Sequence, residues 1–191
     1  MRADLPQLFA TEFGISVELI EGRGLHECEE ATELEVVEVA EDGKEHFLIP
    51  AAAQAWRSLK VAAIAENIQL LIVSAFRSVE RQAEIVRRKL VAGQRIEEIL
   101  AVCAPPGFSE HHTGRAVDIS TPGVPALEVE FEQTAAFAWL TGHAISFGFR
   151  LSFPAGNPHG YLYEPWHWCF HDAQPCGQPD LAHRAAQCRL P

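Results

Sequence analysis

Three short segments of this 191-residue chain hold side chains that can do chemistry together. The first is Ser109-Glu110-His111-His112-Thr113-Gly114-Arg115-Ala116-Val117-Asp118, and the second is Glu164-Pro165-Trp166-His167-Trp168. The third is Ser74-Ala75-Phe76-Arg77-Ser78, with Gln82 four residues beyond. A catalytic zinc takes three N, O or S ligands from protein and keeps a fourth position for water. His111, Asp118 and His167 offer two imidazoles and one carboxylate, from two segments able to meet at the edge of a sheet. Zinc lowers the pKa of its water from about 15.7 to roughly 7, which puts hydroxide within reach at neutral pH. That water still needs a base. Glu164 stands three residues before His167, close to the metal but free to stay off it. Arg77 follows a short apolar run and can project a fixed guanidinium at an anionic oxygen. Metal, base and cation are together the parts needed to hydrolyse an amide.

The elements that must position these groups follow from periodicity and turn chemistry. Glu33–Ala40, an Asp42-Gly43 turn and His46–Pro50 read as strand, turn, strand. Ala51–Asn67 is alanine-rich with apolar residues at helical spacing, and Gln69–Ala75 fits a buried strand. Ser78 is placed to cap a helix running to Ala92, Gly93 ends it, and Gln94–Val102 suggests a further turn or two. After the break at Ala104–Gly107, Arg115–Ser120 alternates like a strand. Glu132–Phe147 is expected as one helix stopped by Gly148, with strands at Phe149–Phe153 and Tyr161–Phe170. The expected fold is a compact single α+β domain: a small, mainly antiparallel sheet, helices on one side and the zinc site at its open face.

Composition removes several function classes. The net charge is −11, so the overall field is unsuited to nucleic acid or anionic lipid. The acid is uneven: residues 1–50 hold thirteen Asp/Glu against three Lys/Arg, and the rest is almost neutral. Segment 1–44 is therefore set apart as an acidic segment, either part of the domain or an appendage, and 173–191 as a proline-containing tail. The plain reading of the acidic segment is a solvated face; the sharper one is an interaction or inhibitory element. Five cysteines without C-x-x-C spacing argue against a zinc ribbon or a disulfide framework. With no apolar targeting stretch and no transmembrane segment in the sequence, a cytoplasmic location is expected. Oligomeric state is left open.

The pattern S-x-H-x-x-G-x-A-x-D followed by E-P-W-H-W resembles the zinc metallopeptidase family of D-alanyl-D-alanine carboxypeptidases and dipeptidases, and its VanY-type carboxypeptidases most closely. The resemblance extends to S-x-F-R-S-x-x-x-Q at 74–82 and to the order of Thr134, Phe137, Trp139, Leu140, Phe147, Gly148 and Pro154, covering about residues 45–172. It implies one zinc per chain on His111, Asp118 and His167, with Glu164 as general base and proton shuttle. It also implies that Arg77 steadies the carbonyl or oxyanion and that Ser109 holds the substrate's terminal carboxylate; Gln82 matches as a substrate-side residue without a defined role. Gly114 and Ala116 would keep the backbone compact between ligands.

The implied reaction is removal of a C-terminal D-alanine from peptidoglycan stem peptides or muropeptide precursors. The alternatives are a sibling dipeptidase, L,D-carboxypeptidase or endopeptidase, or a zinc-bearing module that binds muropeptides without turnover. Cys169 departs from the pattern; in an extended segment it shares a face with His167 and lies near the metal. His159 is a candidate cleft residue, and His112 is expected to be structural.

Overall fold

A computed structural model describes residues 11–172; the first ten residues and the expected tail from 173 lie outside the described residues. Described in chain order, the elements begin with a short helix α1 (Val17–Gly22), capped by the Ser16 side chain. Strands β1 (Glu35–Val39) and β2 (Glu45–Leu48) form an antiparallel hairpin. Its Asp42-Gly43 turn closes as the sequence anticipates, with Asp42 accepting from the Lys44 amide and Gly43 at φ +83. The division expected at residue 44 therefore falls inside one hairpin.

Helix α2 (Pro50–Ala65) starts with proline at its first turn, where no intrahelical donor is lost. It buries Ala52, Ala53, Trp56, Leu59 and Ala63, one face at helical spacing. Strand β3 (Leu71–Ser74) leads to helix α3 (Val79–Val91), whose N-cap Ser78 accepts from the Arg81 amide. A short α4 (Ile96–Leu100), strand β4 (Ala116–Ser120), helix α5 (Ala135–His143) and strands β5 (Phe149–Leu151) and β6 (His167–Phe170) complete the chain.

Four strands form one antiparallel sheet in the order β3-β4-β6-β5. Successive side chains point to opposite faces. Val117, Ile119, Trp168, Phe170 and Phe149 join Trp56, Leu59, Trp139 and Leu140 in the main core under α2 and α5. Asp118 and His167 alternate with them, out of that core. A second apolar cluster, from Phe13, Ile15, Val79, Ala83, Val86, Ile99 and Leu100, joins the N-terminal segment to α3 and α4. The fold is the expected small α+β domain, with this second cluster as an addition.

Two expected elements are shorter than the sequence suggests. The single helix over 132–147 is three pieces: a 3-10 turn at Val129–Gln133, α5, and a 3-10 turn at Ala144–Phe147. Thr134 makes the first break, because its extended backbone and its Oγ1, which accepts from the Phe137 amide, mark a helix start. The strand expected over 161–170 begins only at His167. Ahead of it, residues 161–166 turn: Asn157 ties back to Tyr161, and Pro165 has no amide to give a ladder. Among the described residues no helix is long and apolar enough to cross a membrane.

Candidate metal centre and active-site cleft

Strand register builds the centre. Asp118 on β4 pairs with Ser74 on β3 and with His167 on β6, so the three stand in one row across the sheet. His111 arrives from a 3-10 turn (Glu110–Thr113) that Gly114 ends in the left-handed region at φ +65. A Cβ at Gly114 would lie 2.9 Å from the Leu34 side chain and 3.2 Å from the Ile49 amide, so the motif glycine answers both conformation and space. The Ile49 amide also donates to the Gly114 carbonyl, locking the turn against the hairpin.

The donor atoms of His111, Asp118 and His167 lie within 4.8 Å of one another, and all three residues are buried. His111 Nε2 is 3.1 Å from one Asp118 oxygen and His167 Nδ1 is 3.0 Å from the other. The far nitrogen of each ring is already committed. His111 Nδ1–H donates to the Ala75 carbonyl at 2.7 Å, and His167 Nε2–H donates to Glu110 at 2.9 Å. Outer partners of this kind fix the tautomer that leaves the inner nitrogen free for a metal. Two imidazoles and a carboxylate so oriented match the donor set of a catalytic zinc.

Charge within the cluster is tightly coupled. Burial penalises the Asp118 carboxylate, yet the two histidines outweigh it and hold Asp118 well below the ordinary carboxylate range. Burial likewise opposes the charge on Glu110, but the hydrogen bond and charge of His167 bring it down to about 2. His167 is pushed the other way, against its own burial, to about 10 by hydrogen bonds to Asp118 and Glu110. Glu164 stands beside the centre, 3.9 Å from His167 Nδ1. Burial, with Asp118 and Glu110 adding to it, raises Glu164 to about 7, where a carboxylate can both take and return a proton.

Arg77 enters the same cleft, 3.8 Å from Asp118. Its guanidinium donates to Ser74 at 3.0 Å and to the Gln82 carbonyl oxygen at 2.8 Å. Gln82 itself is fully buried, and its amide nitrogen donates to the Ala104 carbonyl and Cys103. Both ends of this amide are spent on protein. Gln82 therefore holds Arg77, and it also lines the cleft on the side where the sequence expects a substrate contact. Ser109 lines the cleft, and its hydroxyl has no protein partner among the described residues. His112 is structural as expected: its Nδ1–H donates to the Arg77 carbonyl and its Nε2 accepts from the Gly107 amide.

The cleft holding Arg77, His111, Asp118, Glu164 and His167 has a volume of about 390 Å³. Ile85, Phe108, Phe153 and Trp166 supply apolar wall, while Trp168 packs in the core behind. Lys89 lines it too, its ammonium without an ion pair or hydrogen bond among the described residues. A larger cleft of about 1360 Å³ contains none of the three donor residues, nor Glu164 or Arg77. Cys169 shares the strand face of His167 and lines that larger cleft beside Glu110, the partner of His167. His159 does not line the metal cleft; it binds the backbone of Arg23. The sequence gives no sign that Glu110 binds His167 or that Lys89 lines this cleft. The first stands inside the quoted motif and the second on the cleft side of α3, but neither has a local signal of its partner.

A small antiparallel sheet thus carries a buried His/Asp/His cluster able to hold a metal ion, with a glutamate and an arginine beside it. Residues 45–173 match the model of the VanY family, D-alanyl-D-alanine carboxypeptidase, and the chain belongs to that family. It is 34% identical over 128 residues to the putative carboxypeptidase YodJ of Bacillus subtilis (strain 168), covering 65% of this chain and 46% of the relative. The chain spans less than half the length of the curated relatives it matches. Among solved structures it is similar to the LD-carboxypeptidase LdcB, with 31% identity and a TM-score of 0.65, over 74% of this chain and 69% of LdcB. A mutant of the D,D-pentapeptidase VanY from a VanB-type vancomycin resistance cassette, in complex with Zn(II), aligns at 27% identity and a TM-score of 0.59. That match covers 73% of this chain and 79% of VanY.

Proposed function

We propose that this protein is a zinc-dependent carboxypeptidase that removes the C-terminal D-alanine from peptidoglycan stem peptides or their precursors. The observation that carries the reading is the cleft itself. It gathers a buried His111–Asp118–His167 donor set, a glutamate raised to about 7 and an oriented arginine around one point. A zinc ion on that donor set supplies Lewis acidity, activating water and polarising the scissile carbonyl.

The chain's own residues do the rest. Glu164 takes a proton from the attacking water as its oxygen bonds to the carbonyl carbon. Arg77, held by Ser74 and Gln82, donates to the carbonyl oxygen as that oxygen gains charge. As the C–N bond breaks, Glu164 passes its proton to the departing alanine nitrogen. An exopeptidase must also hold a terminal carboxylate. The free Ser109 hydroxyl and the unpaired Lys89 ammonium are the groups in this cleft suited to that anion.

The test is mass spectrometry of stem tri-, tetra- and pentapeptides and free D-Ala-D-Ala, incubated with zinc-loaded wild type or Glu164→Gln. Loss of one alanine from the pentapeptide with wild type alone supports the reading. Loss from the tetrapeptide alone moves it to L,D specificity, and splitting of the dipeptide alone to a dipeptidase. Stoichiometric zinc with no cleavage of any species overturns it in favour of a binding module.

A further inference from the structure

Glu164 is carried on a loop, residues 153–164, held to the body by the Leu162 amide donating to the Ala101 carbonyl and, from outside the family-matched residues, by Arg23. The loop is internally braced. Asn157 donates to the carbonyls of Pro154 and Tyr161 and accepts from the amides of His159 and Tyr161. The Glu164 amide donates to the Phe153 carbonyl, closing the loop on itself. Phe153 and Tyr161 rings stack tilted at 4.6 Å, and Phe153 lies 4.7 Å from the His167 ring. The Leu162–Ala101 hydrogen bond fixes the loop at one point, and Arg23, just after α1, fixes it at His159 and Tyr161.

Arg23 Nε donates to the His159 carbonyl at 2.5 Å, and one terminal nitrogen donates to the Leu100 carbonyl at the end of α4. His159 Nδ1–H returns a hydrogen bond to the Arg23 carbonyl at 3.1 Å. The guanidinium also lies over the Tyr161 ring, 4.4 Å from its centroid, within cation–π range. One planar fork therefore ties three pieces together: α1, the end of α4 and the loop that ends at Glu164. A lysine could not reproduce this, because it is a point charge without the fixed fork. The wrap containing Arg23 is itself fastened by the Cys28 amide to the Gly107 carbonyl, the Ala31 amide to the His112 carbonyl, and Glu30 accepting from the Val79 amide at the start of α3.

We propose that Arg23 is a positioning residue for Glu164, setting the loop so that the carboxylate stands at the metal cleft. The proposal rests on the reading of Glu164 as base, and its test has one arm independent of activity. Hydrogen–deuterium exchange is compared in wild type, Arg23→Ala and Arg23→Lys. Exchange should rise by at least about tenfold at 157–164 in both variants, while 116–120 on β4 stays protected. On whichever peptide wild type cleaves, kcat should fall about 10- to 100-fold for Arg23→Ala, with KM and zinc affinity within about twofold. Added methylguanidine should restore part of that kcat, and Arg23→Lys should remain low.

Unchanged exchange in the loop, or equal loss of protection on β4, overturns the proposal. So does a wild-type kcat in a variant whose loop exchanges faster. Should Arg23→Ala not fold, Arg23→Lys carries both arms alone. Should wild type cleave no peptide, the functional reading fails, while the exchange arm still decides whether Arg23 holds the loop.

Discussion

The row Ser74–Asp118–His167 and the N-terminal wrap over residues 13–31 are held by different physics. The row is set by strand register, with Val117, Ile119, Trp168 and Phe170 of the same strands buried in the main core. Shifting it by one residue would turn the metal donors into the core and the core residues out. The wrap has no such redundancy. Phe13 and Ile15 bury against α3 and α4, but from Arg23 to Ala31 it is held by the Arg23 contacts and a few isolated hydrogen bonds to the body rather than by a strand ladder. The donor set lies inside the family-matched residues and the wrap lies outside them. The donor set thus rests on strand register and core packing, whereas the loop that carries Glu164 is reached from a segment without either.

The sharpest way to break that contrast is to remove a donor. Asp118→Ala should lose stoichiometric zinc and all cleavage, an effect well beyond the ~10- to 100-fold that an outer partner contributes to metal affinity. Metal content by mass spectrometry and turnover on the stem peptides check it. Glu164→Gln should leave zinc affinity unchanged and lower kcat by about 10²- to 10⁴-fold, because it removes proton transfer alone. Equal zinc occupancy with a wild-type rate would sink the role of Glu164.

Glu110→Ala should weaken zinc binding by about 10- to 100-fold, since His167 loses the acceptor that fixes its ring; Glu110→Gln, which keeps an acceptor, should lose less. A competing chromophoric chelator measures both. Should the two variants lose affinity equally, hydrogen bonding is not the reason Glu110 matters.

The pH dependence of thermal stability tests the same cluster. Glu110 is lowered to about 2, so its contribution to stability is present above its ordinary value of 4.5 and is lost as pH falls toward 2. His167 is raised to about 10, so its contribution is present below 6.5 and is lost as pH rises toward 10. With chelator present, the melting temperature should therefore fall at both ends. Zinc should abolish the alkaline decline, because the metal takes the place of the His167 proton. The smallest effect belongs to the exposed rim: breaking Arg57–Glu35, a 2.7 Å pair with both side chains largely in water, should cost under about 1 kcal/mol by denaturant melt.

Much of the site could be read from sequence because its geometry is local. Alternation in Arg115–Ser120 puts Asp118 opposite Val117 and Ile119, and the glycine after His111-His112-Thr113 marks the turn that brings His111 back. Ser78 announces its helix by its capping chemistry. What stayed hidden depends on partners far along the chain. Nothing local in the sequence says that Gln82 holds Arg77 with one end of its amide and the Ala104 carbonyl with the other. Glu110 meets His167 across 57 residues, and Arg23 meets His159 across 136, with no periodicity to announce either. Thr134 was misread because a threonine inside an apolar helical pattern gives no sign that its hydroxyl will cap rather than continue. The wrap, expected as a solvated acidic face, is placed by Phe13, Ile15, Arg23 and hydrogen bonds at Cys28, Glu30 and Ala31, all to partners far along the chain.

The most direct test of the central claim compares wild type and Glu164→Gln, each carrying one zinc per chain, on a stem pentapeptide in ¹⁸O-labelled water. Wild type should release a single alanine and leave one labelled oxygen in the new terminal carboxylate, while the variant releases essentially none. Equal release by both proteins, or no release by wild type with zinc in place, would contradict the assignment of this cleft as a zinc carboxypeptidase with Glu164 as its base.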